Sequence, residues 1–125
     1  MKFAEEDPTE GYFITAYDEK SIQVNGKNFY SSLVIAPDVL DTDWPPISIE
    51  ALQNEHFNRI IELKPELVLL GTGSKLTFPA VGIYAELIQL GVGVDVMDTG
   101  AACRTYNILM SEGRRVIAGL ILPID

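Results

Sequence analysis

Glu66-Leu67-Val68-Leu69-Leu70 followed by Gly71-Thr72-Gly73, and Val92-Gly93-Val94-Asp95-Val96-Met97 followed by Asp98-Thr99-Gly100, decide the fold class. Each is an apolar run of strand length that ends in a glycine turn and opens a helix. Runs this continuous suit strands buried on both faces, as in sheets covered by crossover helices. Between them, Pro79 suits the first turn of a helix ending before Gly91, with Ala80, Ile83, Tyr84, Leu87 and Ile88 as its core stripe. After the second turn, Thr99 is placed to cap a helix that ends at Gly113, with Ala102, Tyr106, Leu109 and Met110 facing the core. Arg115 to Leu122 reads as a central strand. The series strand–helix–strand–helix–strand predicts crossover units in an α/β domain.

Upstream, the pattern changes to a β meander. Tyr12–Tyr17 and Ser21–Val24 read as strands, and Asn25-Gly26 is a type I′ hairpin signal. Asn28–Ala36 reads as one further strand, with Phe29, Leu33 and Ile35 on one face and Tyr30 and Val34 on the other. Pro37–Pro46 is an acidic loop. Ser48 is an N-cap for a helical segment reaching Leu63, with a break near Asn54, and Pro65 ends it. The expected architecture is a single α/β domain over 1–125. Its N-terminal meander joins the βαβαβ unit in one central mixed sheet, and residues 1–10 are frayed.

The formal net charge of −9 argues against nucleic acid and anionic membrane surfaces, both of which call for clustered Lys and Arg. No apolar run approaches the ~20 residues of a membrane-spanning helix. The N-terminal stretch reads as neither a secretory signal nor a transit peptide, so a cytoplasmic location is expected. One cysteine and one histidine exclude an internal disulfide and any cysteine-rich zinc site. Neither a metal nor a cofactor is expected.

In open α/β sheets, ligands sit beyond the carboxyl ends of the strands. Gly71, Thr72 and Gly73 are therefore expected on a pocket rim. With Lys75 they form an anion nest or, more simply, a tight strand-to-helix connection; neither GxxxxGK[ST] nor GxGxxG spacing is present. Thr99 and Gly100 lie at a helix N-terminus, where free amides favour an anion. Arg104, Asn107 and Ser111 follow on one polar face, and Arg104 can reach a carboxylate or phosphate bidentately. Cys103 is expected as a small buried hydrophobe, with a reactive thiol as the alternative. Nothing places His56 near it. The aspartates at 38, 41 and 43 read as a solvated loop without EF-hand spacing. Trp44, in a proline-stiffened loop, either packs over the sheet or is an exposed anchor for a partner.

Three motifs in order carry a resemblance: the Gly71-Thr72-Gly73 turn after an apolar strand, Thr99-Gly100-Ala101-Ala102-Cys103-Arg104-Thr105-Tyr106-Asn107, and Glu112-Gly113-Arg114-Arg115-Val116. From about Tyr12 onward the chain resembles a family of small single-domain α/β proteins of bacteria and archaea. Its eukaryotic relatives include the mitochondrial complex I assembly factor 3 and an adipogenesis-associated domain protein. The resemblance implies a three-layer fold around a mixed sheet, no established enzyme activity, and a role through protein contacts. Gly71, Gly73, Cys103, Arg104 and Asn107 carry over as a pocket, not a catalytic set. The expected function is a non-enzymatic protein-binding domain of assembly-factor type, for which a homo-oligomer is also compatible. The alternative is a small-molecule (anion) binder or enzyme using the strand-end crevice with Arg104 and Cys103.

Overall fold

The computed structural model describes residues 11–124. The ten N-terminal residues, expected to be frayed, lie outside the described residues. Eight strands and three helices follow in the order β1 (Ile14–Tyr17), β2 (Ile22–Val24), β3 (Lys27–Phe29), β4 (Leu33–Ile35), β5 (Leu40–Asp41), α1 (Asn58–Glu62), β6 (Leu67–Gly71), α2 (Ala85–Gln89), β7 (Gly93–Met97), α3 (Thr99–Ser111) and β8 (Val116–Leu120). Short 3-10 turns at Ile49–Ala51, Asn54–Phe57 and Val81–Tyr84 lead into α1 and α2.

A five-stranded mixed sheet runs β5-β4-β8-β6-β7. β6 pairs in parallel with both β7 and β8, while β4 pairs antiparallel with β8. All five residues of β8 are buried, as a central strand requires. Alternate side chains feed two cores. Leu33, Ile35, Leu69, Ala118 and Leu120 face α3 and the meander. Val34, Val68, Leu70, Ile117 and Ile121 face Trp44, Phe57, Ile60 and Leu87. The result is three layers, with the mixed sheet in the middle.

The α/β class and the mixed sheet are as the strand–helix alternation predicts; the meander's placement differs. β1, β2 and β3 form their own antiparallel sheet, packed with α3 against one face of the central sheet. The stretch expected as one strand over 28–36 turns a corner between β3 and β4. Ser32 holds that corner: its buried hydroxyl accepts from the Leu122 N–H at 2.9 Å. Phe29, Leu33 and Ile35 still share one core, because the apolar alternation survives the corner. The Asn25-Gly26 turn has φ of 50° and 87°, the left-handed pair of a type I′ hairpin.

Both helical segments before α3 are shorter than expected. The segment from Ser48 breaks into two 3-10 turns and a five-residue helix, with Ser48 capping the first through the Ala51 N–H. The segment after Pro79 starts at Val81, not in Pro79's own turn, and buries only Leu87; Ile88, expected in its core stripe, is exposed.

Candidate functional site

The two glycine turns meet, and they fill the space between them. The Thr99 N–H donates to the Gly73 carbonyl at 2.9 Å. The Thr99 hydroxyl accepts from the Gly73 N–H at 2.8 Å and donates to the Ile121 carbonyl at 3.0 Å. Gly71 permits this contact: a Cβ there would lie 2.9 Å from the Thr99 Cα. Thr99 is thus a buried bolt between three segments. The N-cap is Asp98, whose carboxylate accepts from the Ala101 N–H at 2.8 Å. Asp and Thr are both competent caps, and only the tertiary demand on the Thr99 hydroxyl decides between them. The charge at this helix N-terminus is the protein's own Asp98 carboxylate, placed where a bound anion would otherwise sit.

The expected pocket residues consequently divide between two clefts. Thr72 and Gly73 border one of about 250 Å³, together with Ile47, Lys75, Thr77 and Ile124. Cys103, Arg104 and Asn107 border a smaller one of about 110 Å³ beside β1. Gly71, Thr99 and Gly100 line neither of these clefts; Gly100 lies under the Tyr17 ring, 3.1 Å from where its Cβ would stand.

In the smaller cleft the polar groups work mostly for the fold. The Asn107 amide accepts from the Ile14 N–H at 2.9 Å and donates to the Ile14 carbonyl at 2.6 Å. One side chain thereby imitates a neighbouring strand along the outer edge of β1. The Tyr106 hydroxyl donates to the Tyr12 carbonyl at 2.8 Å, and burial pushes its ionisation upward. Cys103 is buried against the same core. Desolvation pushes its thiol up to about 12, against a smaller opposing pull from Arg104. This is the opposite of an activated thiol. His56 lies under the other face of the sheet from Cys103, with its Nδ1 accepting from the Gln53 N–H at 3.0 Å. Arg104 is exposed and donates to the Tyr17 hydroxyl. Among the described residues no carboxylate pairs with it.

Trp44 is not an exposed anchor. It is buried over the sheet, its ring lying 2.6 Å from where a Cβ at Gly119 would stand, and its indole N–H donates to the His56 carbonyl at 2.9 Å. Of the loop aspartates, Asp41 pairs with Arg59 at 3.0 Å and Asp38 with Arg115 at 2.8 Å. The Arg115 guanidinium beside Asp38 holds that carboxyl below its ordinary range.

Exposed apolar side chains gather elsewhere. Leu76 (53% exposed), Phe78 (68%) and Val81 (61%) lie on the connection between β6 and α2. Ile47 (74%) borders the larger cleft, as does Thr77. Sequence reading gave Leu76, Phe78, Val81 and Ile47 no role. One signal was available: no Lys or Arg occurs between Lys75 and Arg104, and Glu86, Asp95 and Asp98 are the only acidic residues there.

Residues 14–121 match the family described as "Protein of unknown function (DUF498/DUF598)". The chain belongs to this family. Among DUF498/DUF598 relatives, the "13 kDa major membrane protein" of Francisella tularensis subsp. holarctica is 30% identical over 117 residues, covering 93% of this chain and 95% of that protein. The "NADH dehydrogenase (ubiquinone) 1 alpha subcomplex assembly factor 3" of Rattus norvegicus is 30% identical over 113 residues, covering 89% of this chain but 60% of its own length. A crystal structure of a Bordetella parapertussis protein superposes with a TM-score of 0.84 at 36% identity, covering 89% of this chain and 95% of that one. The α/β architecture with its five-stranded mixed sheet is therefore shared with a solved structure. Among the described residues no helix is long and apolar enough to cross a membrane.

Proposed function

We propose that this chain is a protein-docking domain of assembly-factor type, acting by contact and not by catalysis. The observation that carries the reading is the exposed apolar surface of Leu76, Phe78, Val81 and Ile47. Leu76, Phe78 and Val81 are exposed within six residues of one connection, and apolar surface left uncovered on a small domain marks an interaction site. Aromatic residues are enriched at protein interfaces, and Phe78 is the exposed aromatic of this surface. Two further facts support it. The residues with chemical potential are bound up within the fold: the Thr99 hydroxyl, the Asn107 amide and the Cys103 thiol all serve packing. The rat relative is named as an assembly factor. The acidic surface, at a formal −9, favours partners with basic faces.

The test is native capture with the whole chain and with the double variant Leu76→Ser/Phe78→Ser. A stoichiometric partner held by the parent chain and lost from the variant is expected. A partner retained equally by both, or no stoichiometric partner at all, overturns the reading.

Arg104 supports a second reading, that of a small anion held at the cleft beside β1. Its guanidinium stands beside the Tyr17 hydroxyl with no carboxylate partner among the described residues. Thermal shift with inorganic phosphate and with citrate is expected to raise the midpoint of the parent chain and leave Arg104→Ala unmoved. Equal shifts in both remove this reading.

A further inference from the structure

β7 is an edge strand with one side open. It pairs with β6 alone among the described residues, over five consecutive positions from Gly93 to Met97. The Thr72 N–H donates to the Met97 carbonyl at 2.9 Å, which sets the phase of the strand. Met97, Asp95 and Gly93 turn their backbone groups inward to β6. Val94 and Val96 therefore turn theirs outward, because successive residues of a strand alternate. Two N–H donors and two carbonyl acceptors stand in a row without a strand partner among the described residues. Their side chains, in contrast, pack against the core that holds Leu87.

Natural sheets blunt such edges with lysine, proline, bulges or a covering element. Over its paired length β7 has neither lysine nor proline, and its register with β6 is unbroken. Its one charged side chain is Asp95, exposed and on the same side of the sheet as Leu69, its register partner, which faces α3. The surroundings carry the same sign. From Leu76 to Cys103 there is no basic residue, while Glu86, Asp95 and Asp98 are acidic.

We infer that the open edge of β7 takes up an extended segment of a partner protein as a sixth strand, and that the segment presents Lys or Arg opposite Asp95. This rests on the protein-docking reading and names its mode. The charge decides between a foreign strand and a second copy. In antiparallel self-pairing, the register that pairs Val94 of one copy with Val96 of the other is centred on Asp95. It would set the two Asp95 side chains directly opposite, about 5 Å apart at Cβ, where like charges are destabilising. A basic residue in that place turns the same geometry into an attraction. Backbone hydrogen bonds along the edge supply affinity and the side chain facing Asp95 supplies selection, as in strand addition generally.

The experiment pans a display library of eight randomised residues against the whole chain, Asp95→Lys and Val96→Pro. Proline at 96 removes an outward N–H and no bond to β6; circular dichroism checks the fold. On the parent chain, enriched peptides are expected to alternate β-branched residues around a central Lys or Arg. They should shift the Val94 and Val96 amide resonances. Asp95→Lys is expected to select acidic centres instead, and Val96→Pro to lose at least tenfold in affinity. If Val96→Pro fails to fold, the charge swap at the exposed Asp95 decides alone. Enrichment without a basic centre, no change of preference on Asp95→Lys, or no enrichment overturns strand addition. Peptides that bind Val96→Pro normally but are lost on Leu76→Ser/Phe78→Ser overturn it too, while leaving the docking reading intact. Sedimentation showing a dimer of the parent chain that Val96→Pro dissolves would assign the edge to a second copy and overturn the basic partner.

Discussion

The two connections that carry the chain across the central sheet are built to different standards. The connection from β7 to β8 is α3, thirteen residues long, with Thr99, Gly100, Ala102, Cys103 and Tyr106 buried. Its polar side chains reach far along the chain: Asn107 to Ile14, Thr99 to Gly73 and Ile121. The connection from β6 to β7 has one 3-10 turn and a five-residue helix, which between them bury only Leu87. Around it stand Leu76, Phe78, Val81, Ile88 and Leu90, all exposed. Residues with chemical potential are thus invested in α3 as scaffold, while the chemically plain connection leaves apolar surface uncovered. In a domain of this size, surface that the fold does not need is where a partner is best sought.

Four substitution experiments would break or sharpen that contrast. Removing the Tyr106 side chain by Tyr106→Ala is expected to cost about 3–5 kcal/mol in denaturant unfolding, from the cavity and the unpaired Tyr12 carbonyl. A loss below about 1 kcal/mol would mean α3 is not the rigid connection. Thr99→Val keeps the volume but strips the hydroxyl from the Gly73 N–H and Ile121 carbonyl, a cost of roughly 1–3 kcal/mol; Thr99→Ser should recover most of it. Asn107→Leu should cost roughly 1–2 kcal/mol by uncovering the backbone groups of Ile14. Faster exchange of the Ile14 amide by hydrogen exchange would locate the damage. At the small end, Leu76→Ser/Phe78→Ser should leave stability within about 0.5 kcal/mol of the parent chain. A loss as large as that of Tyr106→Ala would show that this surface belongs to the core, and the contrast would collapse.

Cys103 offers a pH test of the same point. Its folded thiol is raised from the ordinary 9.0 to about 12 by burial. A raised pKa means the unfolded chain loses its proton first. The stabilisation is complete below about pH 9 and is lost as pH climbs toward 12, by on the order of 1 kcal/mol per pH unit. The stability difference between the parent chain and Cys103→Ala should follow this course between pH 8 and 11. In the native state, alkylation near pH 8 should be far slower than in denaturant. Rapid native alkylation would restore the reactive-thiol alternative.

Apolar runs as continuous as Leu67–Leu70 and Val116–Leu120 leave little choice but strands covered on both faces, and the intervening glycines mark where helices stop. Gly91 and Gly113 do lie at positive φ just past their helices. The α/β class, the hairpin at Asn25-Gly26 and the central place of β8 were legible for that reason. Local pattern was less informative about the site. It put the cap at Thr99 because Thr and Asp cap equally well, and it left Trp44 between two roles.

What the residues determine by themselves is which faces are apolar and where the chain turns, since both depend on neighbours within a few positions. Only the tertiary structure decided that the meander closes as its own sheet, that Asn107 edges β1, that Thr99 bolts two turns together, and that Trp44 is covered. The contacts of Asn107 and Thr99 depend on partners distant in sequence: 93 positions for Asn107 and Ile14, and 26 and 22 for Thr99 with Gly73 and Ile121. A hydrogen bond leaves no periodic trace in the sequence around either of its ends. The open edge of β7 is the same lesson in reverse. Its valines announce a strand, but strand order alone reveals that one side of it has no neighbour among the described residues.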